Sequence, residues 1–287
     1  MKSRLVEIDT RLWNTYNKNF IKELEMGNIL FFLNPDFYLS ENEKILLCPS
    51  ILKPKSRNIS LNIDNNLKGS ISDEATQALI YTLLQRFRSY ATNLITSIAP
   101  QYISSLEIAA TSFRPIKVEE RKQSYRADDK RIHVDAFPTR PTYGKRILRV
   151  FINVNPDNEP RVWRIGDEPL EQIAEKFLPE LKKFSKTSAK LLYLFKITKS
   201  IRSEYDHIML QLHDAMKRSS NYQNKTHITI PFPAGSIWVC FSDQVPHSVL
   251  SGQYMIEQTF YIPVSAQYFP EKSPVTILQG LIGRAIV

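Results

Sequence analysis

The run Arg146 to Asn153, RILRVFIN, constrains the fold more than any other stretch of the chain. Strand side chains alternate between two faces. Leu148, Val150, Ile152 and, just beyond, Val154 therefore make one wholly apolar face, while Ile147, Arg149, Phe151 and Asn153 make the other. A strand covered by helices on one side and lining a polar interior on the other reads this way. Arg149 and Asn153 are then expected to point into one cavity.

The surrounding texture sets the fold class. The first hundred residues read as mainly helical and irregular. Leu79, Leu83, Phe87, Ala91, Leu94 and Ile98 recur at steps of three and four, which is helix spacing. Ser72 is the expected N-cap, and Pro100 follows the stop. Residues 168–221 read as a helical insertion, EQIAEKFLPELKKF and then AKLLYLFKITKSIRSEYDHIMLQLHDAMKR. Strands return at Thr226–Phe232, Ser236–Phe241 and Tyr254–Val264, with Pro231, Pro233 and Gly235 punctuating the turn between the first two. The expected architecture is α+β: a double-stranded β-helix (jelly roll) braced by helices. Residues 1–100 form a helical part packed on a core of residues 101–287.

Just upstream of the constraining strand stands His133-Val134-Asp135. In extended backbone this puts an imidazole and a carboxylate on one face. Two such ligands and a further histidine make the facial triad that holds non-haem iron(II) with coordination positions open. Zinc with the same ligands is the competing chemistry. Of the other four histidines, His207 and His213 lie six apart within the helical insertion and do not share a helix face. His227 opens a strand and is a weak candidate. His247, in FSDQVPHSVL, sits between two strand-like runs, where a jelly roll returns a late strand beside an early one. Oxygenases with this triad commonly use 2-oxoglutarate, whose far carboxylate needs a cation. Arg149 suits it because a guanidinium pairs bidentately with a carboxylate; the competing reading is a buried ion pair within the protein. The segment after His247 contains no basic residue, and Gln258 stands where such enzymes often carry an arginine.

The formal net charge of +9 favours an anionic partner, a lipid surface or nucleic acid, without choosing between them. The opening MKSRLVEIDTRLWNTYNKNF has no apolar segment of the secretory type, and no stretch is long and apolar enough to span a bilayer. The tail Val275–Val287 is apolar but short and carries Arg284. Two cysteines, Cys48 and Cys240, give no disulfide framework. A cytoplasmic protein is expected.

The block HVDAFPTRPTYGKRILRVFINVNPDNEPRVWRIGDEP resembles the 3-deoxy-D-manno-oct-2-ulosonic acid (Kdo) 3-hydroxylases, iron(II)- and 2-oxoglutarate-dependent dioxygenases. The resemblance is strong over about Ser112 to Pro169 and returns around Ser236 to Pro263. It implies iron at His133, Asp135 and His247, 2-oxoglutarate at Arg149, and a sugar-acid pocket lined by Arg114, Arg161 and Trp163. It also implies O2 as oxidant, conversion of Kdo to its 3-hydroxylated form on lipid A, and work at the cytoplasmic face of an anionic inner membrane, with no nucleic acid as partner. Basic residues crowd Arg114 to Arg164, in keeping with a carboxylate- and phosphate-bearing substrate. An oxygenase of this fold acting on protein or nucleic acid, or a non-catalytic basic glycolipid-binding module, are the alternatives.

Overall fold

The computed structural model describes residues 4–10, 19–120 and 123–287. Most of the opening segment weighed above as a possible signal falls outside them. In chain order the first half contains β1 (Leu5–Asp9), α1 (Phe20–Glu25), β2 (Ile29–Leu33), α2 (Glu41–Lys44), β3 (Ile59–Leu61), β4 (Leu67–Lys68), α3 (Glu74–Ile98), β5 (Glu107–Arg114) and β6 (Arg146–Asn153). The second half contains β7 (Arg161–Ile165), α4 (Leu170–Phe177), α5 (Lys186–Leu194), α6 (Glu204–Arg218), α7 (Ser220–Gln223), β8 (Ile228–Phe232), β9 (Ile237–Phe241), β10 (His247–Ser251), β11 (Met255–Ile262) and α8 (Pro274–Ile282).

Eight strands form a large sheet in the order β1-β2-β9-β6-β11-β5-β3-β4, and three form a small one, β10-β7-β8. Among the described residues every strand pairing is antiparallel except β1 with β2. The jelly-roll core expected from the sequence is present, but its large sheet is wider than expected. The first hundred residues, read as mainly helical, supply four of its eight strands, β1 to β4. These strands are short and irregularly spaced, so local periodicity did not reveal them.

The alternation of β6 sorts the core as its pattern predicts. Leu148, Val150 and Ile152 join Leu83, Leu84 and Phe87 of α3 in the cluster outside the large sheet. Phe151 joins Trp163, Phe232 and Trp238 between the two sheets. Asn153 departs from expectation: it does not line the cavity. Its amide donates to the carbonyls of Glu159 (2.9 Å) and Phe232 (3.1 Å), tying the end of β6 to the strands beyond.

α3 begins one residue later than expected, because Asp73 and not Ser72 caps it; the Asp73 carboxylate accepts from Thr76 N at 2.7 Å. Arg88, on the inner side of α3, donates to Thr111 of β5 and to the carbonyls of Leu61 and Asn62, pinning the helix to the sheet. The helical insertion is real but broken. A left-handed Lys196 and a non-helical stretch to Ser203 separate α5 from α6. α4, α6 and α8 pack in a third cluster with Ile132 and Val134, the residues flanking His133. The apolar tail is thus largely committed to packing, with Val275, Leu278 and Ile286 buried.

One buried ion pair fixes the connection between β9 and β10. Arg146 Nε lies 2.9 Å from Asp243 Oδ2, and its Nη2 donates to Gln244 at 2.6 Å. Neither partner is more than 1% exposed. Removing one charge would leave the other buried and uncompensated. Arg146→Ala is therefore expected to lower stability by about 3–5 kcal/mol in urea unfolding. The double variant Arg146→Met/Asp243→Leu should recover much of that loss; equal losses for both would show that the charge pair itself is not the cause.

Candidate metal centre

His133 and His247 meet through a reciprocal backbone bridge. His133 N donates to His247 O at 3.0 Å, and His247 N donates to His133 O at 2.8 Å. Two residues on, Asp135 N donates to Ser242 O at 2.8 Å. The segment 133–135 is therefore laid along the start of β10 and the end of β9, and period-two alternation turns His133 and Asp135 to the same side.

Each ring is oriented by a carbonyl two residues away. His133 Nδ1 lies 2.7 Å from Arg131 O, and His247 Nδ1 lies 2.8 Å from Val245 O. A carbonyl only accepts, so each Nδ1 carries the proton and each Nε2 keeps its lone pair. Those Nε2 atoms face Asp135 Oδ1, at 3.7 Å from His133 and 4.0 Å from His247. All three ligand atoms lie within 4.8 Å of one another. This donor set suits a divalent transition ion. Burial pushes His133 down to about 3 and lowers His247 as well, so both rings stay neutral and able to coordinate. Burial alone would raise the Asp135 carboxyl, but the Arg149 charge and the His133 contact hold it well below the usual carboxylate range.

The triad lies at a cavity of about 810 Å3. β11 sends Met255, Glu257, Thr259 and Tyr261 into it, while Ile256, Phe260 and Ile262 face α3. Gln258 belongs to that second face. It is fully buried, accepts from Thr111 Oγ1 and donates to Ala109 O and Thr259 O. Its position therefore faces away from the metal ligands, and an arginine there would not have reached the cavity without a register change.

Arg149 does reach it. Its Nη1 donates to Asp135 Oδ2 at 2.8 Å and its Nη2 lies 2.7 Å from Glu257 Oε1. Its buried Nε has no partner among the described residues. The internal ion pair weighed against a ligand role is thus present, beside an unmatched donor. Glu257 is shared: Arg114 Nη2 lies 3.0 Å from the same oxygen, while Arg114 Nη1 lies 3.2 Å from Asp129. Arg161 is buried, donating to Gly252 O at 3.3 Å. Gly252, at φ +116°, could not take a side chain, because a Cβ there would stand 2.9 Å from the Arg161 Cα. Trp163 is 1% exposed and stacks on the His247 ring, 4.9 Å between centroids and 18° between planes. It fixes that ring as well as lining the cavity.

Several cavity residues were not anticipated. Glu257 and Asp129 pair the arginines; the signal was Glu257 as the one charged residue of the strand-like run YMIEQTFYI. α6 contributes His213, set edge-on to His133 with centroids 5.0 Å apart, and Lys217, which is 2% exposed and donates to Arg126 O. His213 reaches the cavity wall without joining the ligand set. His207 and His227 turn instead to the carbonyls of Lys182 and Tyr222. Among the described residues, seven cationic side chains line the cavity against four carboxylates. Such an excess attracts anionic ligands.

The family model for 3-deoxy-D-manno-oct-2-ulosonic acid (Kdo) hydroxylase matches residues 7–285. Three crystal structures of the Kdo hydroxylase KdoO, a non-haem Fe(II) α-ketoglutarate-dependent dioxygenase, superpose closely. Its cobalt(II) complex gives a TM-score of 0.93 at 41% identity, covering 99% of this chain and 98% of that one. Its complexes with α-ketoglutarate and Fe(III), and with succinate and Fe(III), both give 0.92 at 41% identity, covering 99% of this chain and 97% and 98% of theirs. No curated protein sequence matches the chain.

Cobalt(II) in excess is expected to raise the melting temperature. At a hundred times the dissociation constant the gain is about 2.7 kcal/mol. His247→Ala and Asp135→Ala should lose most of that gain in thermal unfolding with and without metal, and an undiminished gain in either would remove that residue from the ligand set.

Proposed function

The chain belongs to the Kdo hydroxylase family, and on that premise we propose how its own residues serve the reaction. It is an iron(II)- and 2-oxoglutarate-dependent dioxygenase that hydroxylates Kdo. His133, Asp135 and His247 hold the iron, Arg149 takes the far carboxylate of 2-oxoglutarate, and Arg114, Arg161 and Trp163 line the sugar-acid subsite. The observation that carries this reading is the pair of Nε2 lone pairs and one carboxylate converging at a cavity with excess positive charge. Hydroxylation is assigned to C3 of Kdo, giving Ko, in the lipid A inner core.

Bound at the triad, iron(II) with 2-oxoglutarate and O2 supplies the oxidising chemistry that turns a C–H bond into C–OH. The protein's part is to bind, orient and exclude water. Both histidines have their Nδ1 protons committed to carbonyls, so neither serves as an acid or base. Arg149 can turn a guanidinium edge to the co-substrate without stranding a buried carboxylate, because Glu257 remains paired with Arg114. Arg114 and Arg161 suit the Kdo carboxylate, since a guanidinium forks a carboxylate where an ammonium cannot. No helix among the described residues is long and apolar enough to cross a membrane. A lipid-borne substrate and a net charge of +9 support a working position at the cytoplasmic surface of an anionic membrane.

Anaerobic addition of iron(II) and 2-oxoglutarate should give a visible charge-transfer absorption, and air with Kdo-bearing lipid A should then add one oxygen atom to the lipid by mass. Modification of RNA or protein in place of the lipid would reject the substrate assignment. Arg149→Met should raise the 2-oxoglutarate concentration for half-maximal rate on the order of a hundredfold. An unchanged requirement would return Arg149 to a purely internal ion pair.

A further inference from the structure

Between Leu181 and Ser203 the chain holds seven basic residues, Lys182, Lys183, Lys186, Lys190, Lys196, Lys199 and Arg202, and no acidic one. The same stretch contains the greatest concentration of exposed large apolar side chains among the described residues. Leu194 is 71% exposed, Phe195 69%, Ile197 54%, Tyr193 48%, Leu191 47% and Ile201 43%.

α5 lies at the centre of this stretch and contributes little to the core. Of its nine residues only Ala189 is buried. A helix this short is marginal in water by itself, yet it is set up with care. Ser185 caps it by accepting from Ser188 N, and the left-handed Lys196 turns the chain back so that Ile197 N and Thr198 N both donate to Leu192 O. The result is a firm ridge with an apolar crest and lysines on its flanks. Contiguous exposed apolar surface calls for a partner. An apolar crest ringed by cations fits an anionic bilayer, whose headgroups meet the lysines while the crest enters the acyl boundary. A protein partner of ordinary acidic character would pair the cations and leave the apolar crest unmatched.

The ridge is tied to the mouth of the cavity. Arg202 Nη2 donates to Pro138 O at 2.7 Å, Lys199 N donates to Thr139 O at 2.9 Å, and Tyr143 Oη donates to Ile201 O at 2.7 Å. Pro138, Thr139 and Arg140 themselves line the metal cavity. A surface seated on lipid through α5 would thus hold the cavity beside the bilayer.

We infer that α5 and the segment after it, Lys186 to Ile201, form an interfacial docking ridge for anionic phospholipid. This deepens the proposed placement at a membrane surface, but its argument stands on exposure, charge and connectivity and does not need Kdo as the substrate.

The test is flotation of the metal-loaded enzyme with phosphatidylcholine vesicles, with and without phosphatidylglycerol. The wild type should float with the anionic vesicles and stay behind with the neutral ones. Leu194→Ser/Phe195→Ser should lower the partition coefficient at least about tenfold, and Lys186→Gln/Lys190→Gln/Lys196→Gln on the order of a hundredfold. Both variants change exposed positions and should keep the wild-type melting temperature. Should the apolar variant fail to fold, the lysine variant decides alone. Equal flotation with both vesicle types, or unchanged flotation of the folded variants, overturns the proposal. So does a variant that only converts a dimer to a monomer in size-exclusion chromatography, which would make a second copy the occupant. Turnover of a delipidated Kdo oligosaccharide separates the two readings. Turnover without vesicle binding removes the ridge and keeps the reaction; vesicle binding without turnover does the reverse.

Discussion

The reciprocal backbone bridge between His133 and His247 is the contact on which the site depends. It joins residues 114 positions apart through two main-chain hydrogen bonds, so ligand spacing is set by backbone geometry and not by flexible side chains. The rest of the molecule secures those two strands. Asp135 is fixed on Ser242, the Arg146–Asp243 pair anchors the turn between them, and Ile132 and Val134 are driven into the cluster of α4, α6 and α8. The rings are then aimed by their own chain, through carbonyls two residues away, and the Trp163 indole closes the back of His247. Every level of the structure converges on keeping two lone pairs and one carboxylate in register.

Charge in the cavity is managed by sharing. Glu257 pairs with both Arg114 and Arg149, and Arg149 pairs with both Glu257 and the ligand Asp135. A chain of alternating charges keeps each buried group compensated when one contact is exchanged. Burial alone would raise the Glu257 carboxyl, but the two guanidiniums hold it below the ordinary carboxylate range. It therefore stays an acceptor at neutral pH, and Arg149 stays oriented. The same arrangement lets Arg149 exchange one contact while it stays part of an internal network.

Much of this was readable from the chain because it depends on local periodicity. The two faces of β6, the length of α3 and the strands that close the jelly roll follow from spacings of two and of three to four. His133 and Asp135 share a face for the same reason. What was not readable depends on partners distant in sequence. The strands of the first hundred residues carry no clear alternation and are defined by pairing with β9 and β5. Gln258 occupied the expected site for an arginine by count, but its face of β11 belongs to α3. Asn153 had the right parity for the cavity, yet its amide is spent on two carbonyls.

The sequence by itself determined the ligand types, the inward-facing arginine, the helix-braced β class and a positive charge suited to anionic partners, because each of these is a property of residue identity and short-range spacing. The position of His247 between two strand-like runs singled it out among the four remaining histidines, and tertiary structure decided how it meets His133, through strand pairing that no local spacing encodes. It also decided that Trp163 braces a ligand, that Glu257 joins two arginines, and that α5 stands exposed beside the cavity mouth. Those are statements about which surfaces meet, and the energy that selects them comes from burial and pairing across the whole fold rather than from any one segment.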